Sequence, residues 1–579
     1  MTDPANPASI ESLEMERALI EPQLLAAIRR DLIGEGVAIN TPFGRKPLIY
    51  ADYTASGRSL KSIEDYIQQN VLPYYANTHS ESSFCGRQST AFREQARALI
   101  RDSLGGNEDW AIIFCGSGAT SAINKFIDLL GLRLPLEKSQ RELIQNCIAD
   151  AQRAVVFLSP YEHHSNELPW RESAVDIVCI PLNSHDQLDL NALEDALKTY
   201  QHRPLKIGSF SAASNVTGIR SDVDAISRLL HQYQAMACWD YAAAAPYVKI
   251  NVKNTAASGD NSIDALYLSP HKLIGGPGTP GILAIKRHLL HNDRTPSLPG
   301  GGTVSWVSPQ HHRYLPHGER REEGGTPAII EAIRAGLAFK VKTDVGAEKI
   351  EQLERGHIRH ALERLQQHPH IHLLGNSTVD RLAILSLQIR LHDKNGVQRE
   401  LHYGLVVALL NDLFGIQARG GCSCAGPYGH YLLGIDAEKS RAFEQLISAG
   451  ELIFRPGWVR INLNYFLDTE TINYLLTALE LLATHGWKLL AHYHWDNTAN
   501  VWKHRSNPQP ELSSLSNFSF KAQQPISTAA CSENTSSLAE SLEKTRQFLV
   551  AIEMEKTTGS EIHYDHEKWR GFAIAADFS

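Results

Sequence analysis

The stretch 265-ALYLSPHKLIGGPGTPGILAIK-286 decides the reading of the fold. Two short apolar runs, ALYLS and GILAIK, flank a polar turn and a glycine-rich loop. Apolar runs of that length bounded by Gly and Pro read as buried strands. Working outward, the same kind of run recurs as 235-AMACWD, 205-LKIGSF, 176-DIVCIPL, 153-RAVVFLS and 111-AIIFC. Most are followed by a loop and an amphipathic pattern such as SDVDAISRLLHQYQ (221–234). Strand runs buried on both faces and alternating with helices predict an α/β fold with a mainly parallel sheet. In such sheets ligands sit at the carboxyl ends of the strands, so chemistry is sought there.

The 579 residues are 43% hydrophobic and 21% charged, as in an ordinary globular protein. Acidic residues outnumber basic ones, 64 to 56, which argues against a broad nucleic-acid-binding surface. No uncharged apolar run is long enough for a membrane span, and the polar N-terminus MTDPANPASIESLEMER lacks the pattern of a secretory or transit peptide. Among eight cysteines only Cys422 and Cys424 are close neighbours, which predicts a reducing, cytoplasmic setting.

Four regions are expected. Residues 1–47 form an arm with one helix, and 48–326 form the large domain. Residues 327–490 form a smaller C-terminal α/β domain, opening with AIIEAIRAGLAFKVKTD and containing 380-DRLAILSLQI as a strand. Residues 491–579 form an extension, with a Ser-rich linker over 505–540 and a terminal helix.

Four features at strand ends carry chemistry together, although each is weak alone. Lys272, in Ser269-Pro270-His271-Lys272, follows the strand ALYLS, where a lysine is presented inward as an imine former for an aldehyde-bearing cofactor. Asp240 ends the strand AMACWD, where a carboxylate holds a pyridinium nitrogen protonated. The turn 115-CGSGATSAINKF opens a helix whose first N–H groups, with the Ser117 and Thr120 hydroxyls, make a phosphate cradle. His163, in 160-PYEHHSNELPW, is placed to lay its ring on a planar cofactor.

From about residue 48 to 485 these motifs resemble, in order, the class V, fold-type I pyridoxal-phosphate enzymes, in particular the cysteine desulfurase and selenocysteine lyase branch. The resemblance implies a fold-type I large domain with a smaller C-terminal domain. It implies pyridoxal 5'-phosphate held by Gly118, Ala119, Thr120, His163, Asn215, Asp240, Ser269, His271 and Lys272, with Thr303 of 300-GGGTVS reaching the phosphate of a neighbouring subunit. It also assigns 50-YADYTASGR to the opening strand and turn and 321-REEGGTP to an Arg-x-Glu-x-Gly-Thr-Pro motif. Arg460 of 457-GWVRINLNYF falls on the arginine that holds the substrate carboxylate, and Asn77 and Arg419 border it. The loop 419-RGGCSCAGP resembles the desulfurase loop, with Cys424 at the catalytic position beside Lys272 and His163. Ala243 stands where the family carries a glutamine facing the phenolic oxygen of the cofactor.

The expected reaction is carbon–sulfur cleavage of an amino acid to alanine, leaving a persulfide on Cys424. A thiolate attacker calls for a positive neighbour, which Arg419 is placed to supply. Expected partners are the amino-acid substrate, a sulfur-acceptor protein and a second copy of the chain, with no nucleic acid and no membrane. Other readings remain open: an aminotransferase, epimerase or β-lyase on another amino acid, or a non-catalytic cofactor-binding protein. A metal protein using Cys422 and Cys424 with His370, His372, His492 or His494 is disfavoured, because Cys-x-Cys is too tight for zinc-ribbon spacing and no second pair exists.

Overall fold

The computed structural model describes residues 23–78, 80–257, 259–291, 293–506, 514–520, 537–553 and 567–578. They fall into two compact units. The first comprises the described residues up to Ile33, then Thr54–Arg355 and Val379–Leu382. The second comprises Gly34–Tyr53, Gly356–Thr378 and the described residues from Ala383 onward.

The first unit is built on seven strands: β1 (Trp110–Cys115), β2 (Ala154–Leu158), β3 (Val175–Cys179), β4 (Lys206–Ser211), β5 (Met236–Asp240), β6 (Ala265–Leu268) and β7 (Gly281–Lys286). Their order across the sheet is β1-β7-β6-β5-β4-β2-β3. The pairs β2–β3, β2–β4, β4–β5 and β5–β6 are parallel. Only β7 runs against its neighbours β1 and β6. Only the single 3-10 turn Pro270–Lys272 and a glycine-rich loop separate β6 from β7, so the chain returns antiparallel instead of crossing over. Every residue of β1, β2 and β4 is buried, whereas the edge strand β3 is half-buried. Continuous apolar runs are what a sheet covered on both faces selects.

Four helices of this unit matter below: α1 (Phe84–Ser103), α2 (Gly118–Leu130), α3 (Val223–Gln232) and α4 (Ile329–Val345). Helix α2 ends on Gly131, whose φ of 70° is the left-handed stop that glycine adopts without strain. The start of α3 is capped by Asp222, which accepts from the Ala225 N–H. Helix α4 packs on α1 so closely that a Cβ at Gly336 would fall 2.6 Å from the Ala96 Cα. The REEGGTP segment also locks into this unit. Buried Glu323 accepts from Arg93 Nη2 at 2.6 Å, Arg97 Nη2 at 3.1 Å and the Phe114 N–H of β1 at 2.7 Å. Burial pushes that carboxyl up, but the two guanidinium groups hold it below its ordinary value. The expected domain boundary at 327 is therefore displaced: α4 belongs to the large unit, and the division falls inside the helix Ala347–Leu365.

The second unit has an antiparallel sheet of β8 (Ile371–Leu373), β9 (Ile384–His392), β10 (Gln398–Leu401), β11 (Arg419–Gly421) and β12 (Trp458–Asn462), ordered β8-β9-β12-β11 with β10 also on β9. Helices α5 (Tyr403–Phe414) and α6 (Thr469–His485) bury Leu405, Leu409, Leu475 and Leu479 in its core. Two departures from the expected boundaries stand out. Residues 34–53 belong here and not to an arm or to the large domain, because Ile49–Tyr50 pairs in parallel with Ile416–Gln417. The C-terminal extension is also part of this core. A hairpin of β13 (Tyr493–Asp496) and β14 (Val501–His504) buries Trp502, and α7 (Leu538–Ala551) buries Leu549. Residues 571–573 pair along β10, with Ala573 N–H to Glu400 O at 2.8 Å and Glu400 N–H to Gly571 O at 3.0 Å. Most of the expected 505–540 linker lies outside the described residues.

Candidate active site

In the first unit, chemistry-bearing side chains collect at the carboxyl ends of β1, β2, β4, β5 and β6. Helix α2 starts just after β1, and its first residue, Gly118, has a φ of 57°. A Cβ there would lie 2.8 Å from Ser269 Oγ and 3.0 Å from His271 Cε1, so only glycine lets the β1 and β6 ends meet. The Ala119 N–H donates to Ser269 Oγ at 2.8 Å. Gly116, Ser117 and Thr120 remain exposed around this helix start, leaving an open, electropositive rim suited to an anion.

Asp240 ends β5 and is buried; its Oδ1 accepts from the Ala242 N–H at 2.8 Å. Burial pushes its carboxyl above the ordinary range, opposed by that hydrogen bond and by the Lys272 ammonium. A carboxylate in such a place calls for a cationic partner. Lys272 closes the short turn Pro270–Lys272 that follows β6. The neighbouring His271 is half-buried, and burial together with the Lys272 charge pulls its imidazole down to about 4, so it is neutral at pH 7. Asn215 is buried in the tight turn after β4, whose backbone is held by Ser214 Oγ accepting from Val216 N–H and Thr217 N–H.

Two residues of this cluster escaped sequence reasoning. Ser165 Oγ lies 2.6 Å from Thr120 Oγ1 and 3.0 Å from His163 Nδ1, tying the Thr120 hydroxyl to the histidine. The Ser165 N–H also donates to His163 Nδ1 at 3.0 Å, which leaves Nε2 as the protonated nitrogen and fixes the ring. Glu162, fully buried, accepts from Ser159 Oγ, Asn166 Nδ2, Ser211 Oγ and Ser211 N–H. Burial pushes its carboxyl up to about 7 against the pull of those four donors, and the network anchors the loop that carries His163. Position beside His163 was the only signal available for either.

Asn77 Nδ2 donates to Thr326 Oγ1 at 3.3 Å. Thr303 is turned inward: it is buried, and its hydroxyl donates to Gly300 O of its own loop at 2.7 Å. Within the single chain that hydroxyl bonds to its own loop.

The second unit holds the remaining candidates. Strand β11 pairs with β12 so that Arg419 lies opposite Arg460. The chain then enters the cysteine loop, where Ser423 and Cys424 have φ of 53° and 57°. Two successive non-glycine residues in the left-handed region cost on the order of 1–3 kcal/mol each, and such strain concentrates at functional sites. Ser423 is buried while Cys424 and Cys422 are half-exposed. Buried Arg460 donates from Nη2 to Asp52 Oδ1 at 2.8 Å, and Arg419 Nη1 lies 3.8 Å from Asp52 Oδ2. Asp52, unrecognised in the sequence, thus holds a carboxylate against the guanidinium assigned to a substrate carboxylate. The Asn462 N–H to Ala51 O bond at 2.8 Å secures this arrangement. Arg419 is directed at Asp52, so its charge is shared with that carboxylate.

Among the described residues no group of three His, Cys, Asp or Glu side chains is arranged to hold a metal ion, and no helix is long and apolar enough to cross a membrane.

Comparison with known proteins agrees in extent with these motifs. A family model described as "Aminotransferase class-V" matches residues 49–434. A probable cysteine desulfurase of Streptomyces coelicolor is 26% identical over 385 residues, covering 66% of this chain and 84% of that protein. Another from Halalkalibacterium halodurans is 28% identical over 397 residues, covering 67% and 86%. Among solved structures, the apo cysteine desulfurase from Thermococcus onnurineus superposes with a TM-score of 0.61 at 22% identity, covering 79% of this chain and 97% of that one.

Proposed function

Since this chain belongs to the aminotransferase class-V family, we propose that it is a pyridoxal-phosphate-dependent cysteine desulfurase, converting cysteine to alanine and taking the sulfur onto Cys424. The residues of the first unit fit that cofactor. Buried Asp240 wants a cation, and the glycine-only helix start at Gly118 with Ser269, Thr120 and neutral His271 suits a phosphate. Lys272 would hold its aldehyde, His163 would cover its ring and Asn215 would face its phenolic oxygen. When bound, the cofactor supplies an electron sink for charge developing at the substrate α-carbon.

The chain's own residues supply the rest. Arg460 binds the substrate carboxylate through its planar fork, displacing Asp52, with Asn77 and Arg419 at the border of that site. Lys272, once released, moves the α-proton, while Asp240 keeps a positive charge opposite itself. The Cys424 thiolate attacks the substrate sulfur: a sulfur–sulfur bond forms, the carbon–sulfur bond breaks, and the carbon fragment gains protons to leave as alanine. The half-exposed setting of Cys424 leaves the persulfide accessible to an acceptor protein.

The observation that carries the reading is the strained cysteine loop launched from the strand paired with Arg460. Its test is an assay of alanine and sulfide from cysteine under reducing conditions. Cys424→Ser should abolish sulfide release, falling by at least about a thousandfold as expected for loss of a nucleophile, and Cys422→Ser should leave it within about threefold. Equal turnover in Cys424→Ser would instead favour an aminotransferase, epimerase or β-lyase. A cytoplasmic homodimer is part of the proposal. Tyr66, Leu72, Tyr74, Tyr75 and Phe84 of the first unit are exposed over a short span of chain, as a subunit interface requires.

A further inference from the structure

The second unit contains a cavity of about 370 Å³ between β9, β10, the helix Ala437–Ser448 and the C-terminal segment around Trp569. That volume is within the range of ~300–1,000 Å³ typical of small-molecule sites. Its lining is two-sided. Arg390, Arg455 and Lys439 supply positive charge, while Phe443, Phe454 and Trp569 supply apolar surface. Other basic groups at its edge are already committed: Arg570 to Asp577 at 2.7 Å, Lys568 to Glu438 at 3.1 Å and Arg399 to Asp393 at 3.6 Å.

The first three are different. Half-buried Arg390 donates from Nε and Nη2 to the amide oxygen of Gln388, at 3.2 and 2.7 Å, and not to a carboxylate. Among the described residues, neither Arg390, Arg455 nor Lys439 has an acidic side chain at ion-pair distance. The cavity's one carboxylate, Glu400, accepts from Gln388 Nε2, and burial pushes its carboxyl up to about 7 against the pull of Arg390. Three basic groups against one half-neutralised acid leave an excess of positive charge close to what a dianion balances.

We propose that this cavity binds a small organic phosphate monoester, its phosphate on Arg390, Arg455 and Lys439 and its apolar portion against Phe443, Phe454 and Trp569. All of its lining residues belong to the second unit. Trp569 lies beyond residues 49–434 and beyond the span to about 485 in which the family motifs recur, so that wall of the cavity comes from the C-terminal segment. Tyr403 connects it to the chemistry. That ring lines the cavity and also packs on Gly420, and a Cβ at Gly457 would fall 2.7 Å from both Tyr403 Cε1 and the Gly421 Cα. A bound ligand therefore presses on the ring that supports β11, the strand that leads to Cys424.

The test is calorimetric titration of the full chain saturated with pyridoxal 5'-phosphate, so that the phosphate cradle at Gly118 is already filled. Phenyl phosphate, inorganic phosphate and benzoate serve as probes. Saturable binding of phenyl phosphate is expected with a Kd below about 1 mM, with the other two at least about tenfold weaker because each lacks one half of the match. Arg390→Gln, and separately Arg455→Gln at an exposed position, should each weaken phenyl phosphate about tenfold, with the cofactor absorbance unchanged. Failure to bind phenyl phosphate up to about 10 mM, equal affinity for inorganic phosphate, or undiminished binding in both variants would overturn the proposal.

Discussion

Gly118 shows how much can rest on the absence of one side chain. Its left-handed φ and its contact with Ser269 and His271 let two strand ends and a helix start converge within hydrogen-bond distance. Alanine at this position meets two penalties: about 1–2 kcal/mol for the left-handed backbone, and the displacement of Ser269 or His271 by the new methyl. Both penalties fall on the cradle and not on the core. Gly118→Ala should therefore keep its thermal transition within a few degrees while losing at least about tenfold in cofactor affinity, since 1.4 kcal/mol is a tenfold change. The ratio of bound cofactor to protein after dialysis measures it. At this scale the glycine, Lys272 and Asp240 were legible in the sequence, because each sits next to a strand that announces itself. Ser165, Glu162 and Asp52 were not, because their roles come from partners on other elements: Thr120 45 residues away for Ser165, Ser211 49 away for Glu162, and Arg460 408 away for Asp52.

At the scale of elements, the apolar runs mark the sheet closely: 111-AIIFC became Trp110–Cys115 and 265-ALYLS became Ala265–Leu268. The run beginning at Asp380 was read too early. Residues 380–382 bond instead to the turn after β4, through Leu382 N–H to Gly218 O at 2.8 Å and the bridge between Ile219 and Arg381, and the strand starts at Ile384. The charged pair Asp380-Arg381 and its tertiary bonds hold this start of the run outside the strand. Helix α4 carries the more consequential difference. Its apolar stripe was visible, but nothing in the stripe named its partner. The partner is α1, and the contact is backbone to backbone at Gly336 and Ala96. Gly336→Ala should force the pair apart and destabilise the first unit by about 1–3 kcal/mol, the usual cost of overfilling a packed contact. Denaturant unfolding would register this as a lower midpoint with an unchanged slope. A neutral or stabilising outcome, as helix propensity alone predicts, would show that the two helices adjust freely.

For the whole molecule, the division into two units was the least legible property, because both ends of the second unit are supplied from elsewhere in the sequence. Residues 34–53 join it by pairing with Ile416–Gln417, and the segment beyond 566 joins it along β10. Neither segment has a long periodic pattern, so each reads as an arm or a tail until its partner is seen. The terminal segment places Phe572 and Ala573 in the apolar core and closes on itself through the buried pair of Arg570 and Asp577. Ending the chain at residue 566 removes two backbone hydrogen bonds to Glu400 and exposes the surface that Phe572 covers, a loss of about 3 kcal/mol from the ring alone. The damage is confined to one unit. Calorimetric unfolding of the shortened chain should show one transition lowered by several degrees and another, belonging to the first unit, unmoved. Because Trp569 leaves as well, phenyl phosphate binding should weaken together with that lowered transition. A shortened chain with both transitions intact would mean that the terminal segment only covers the surface of a core complete without it.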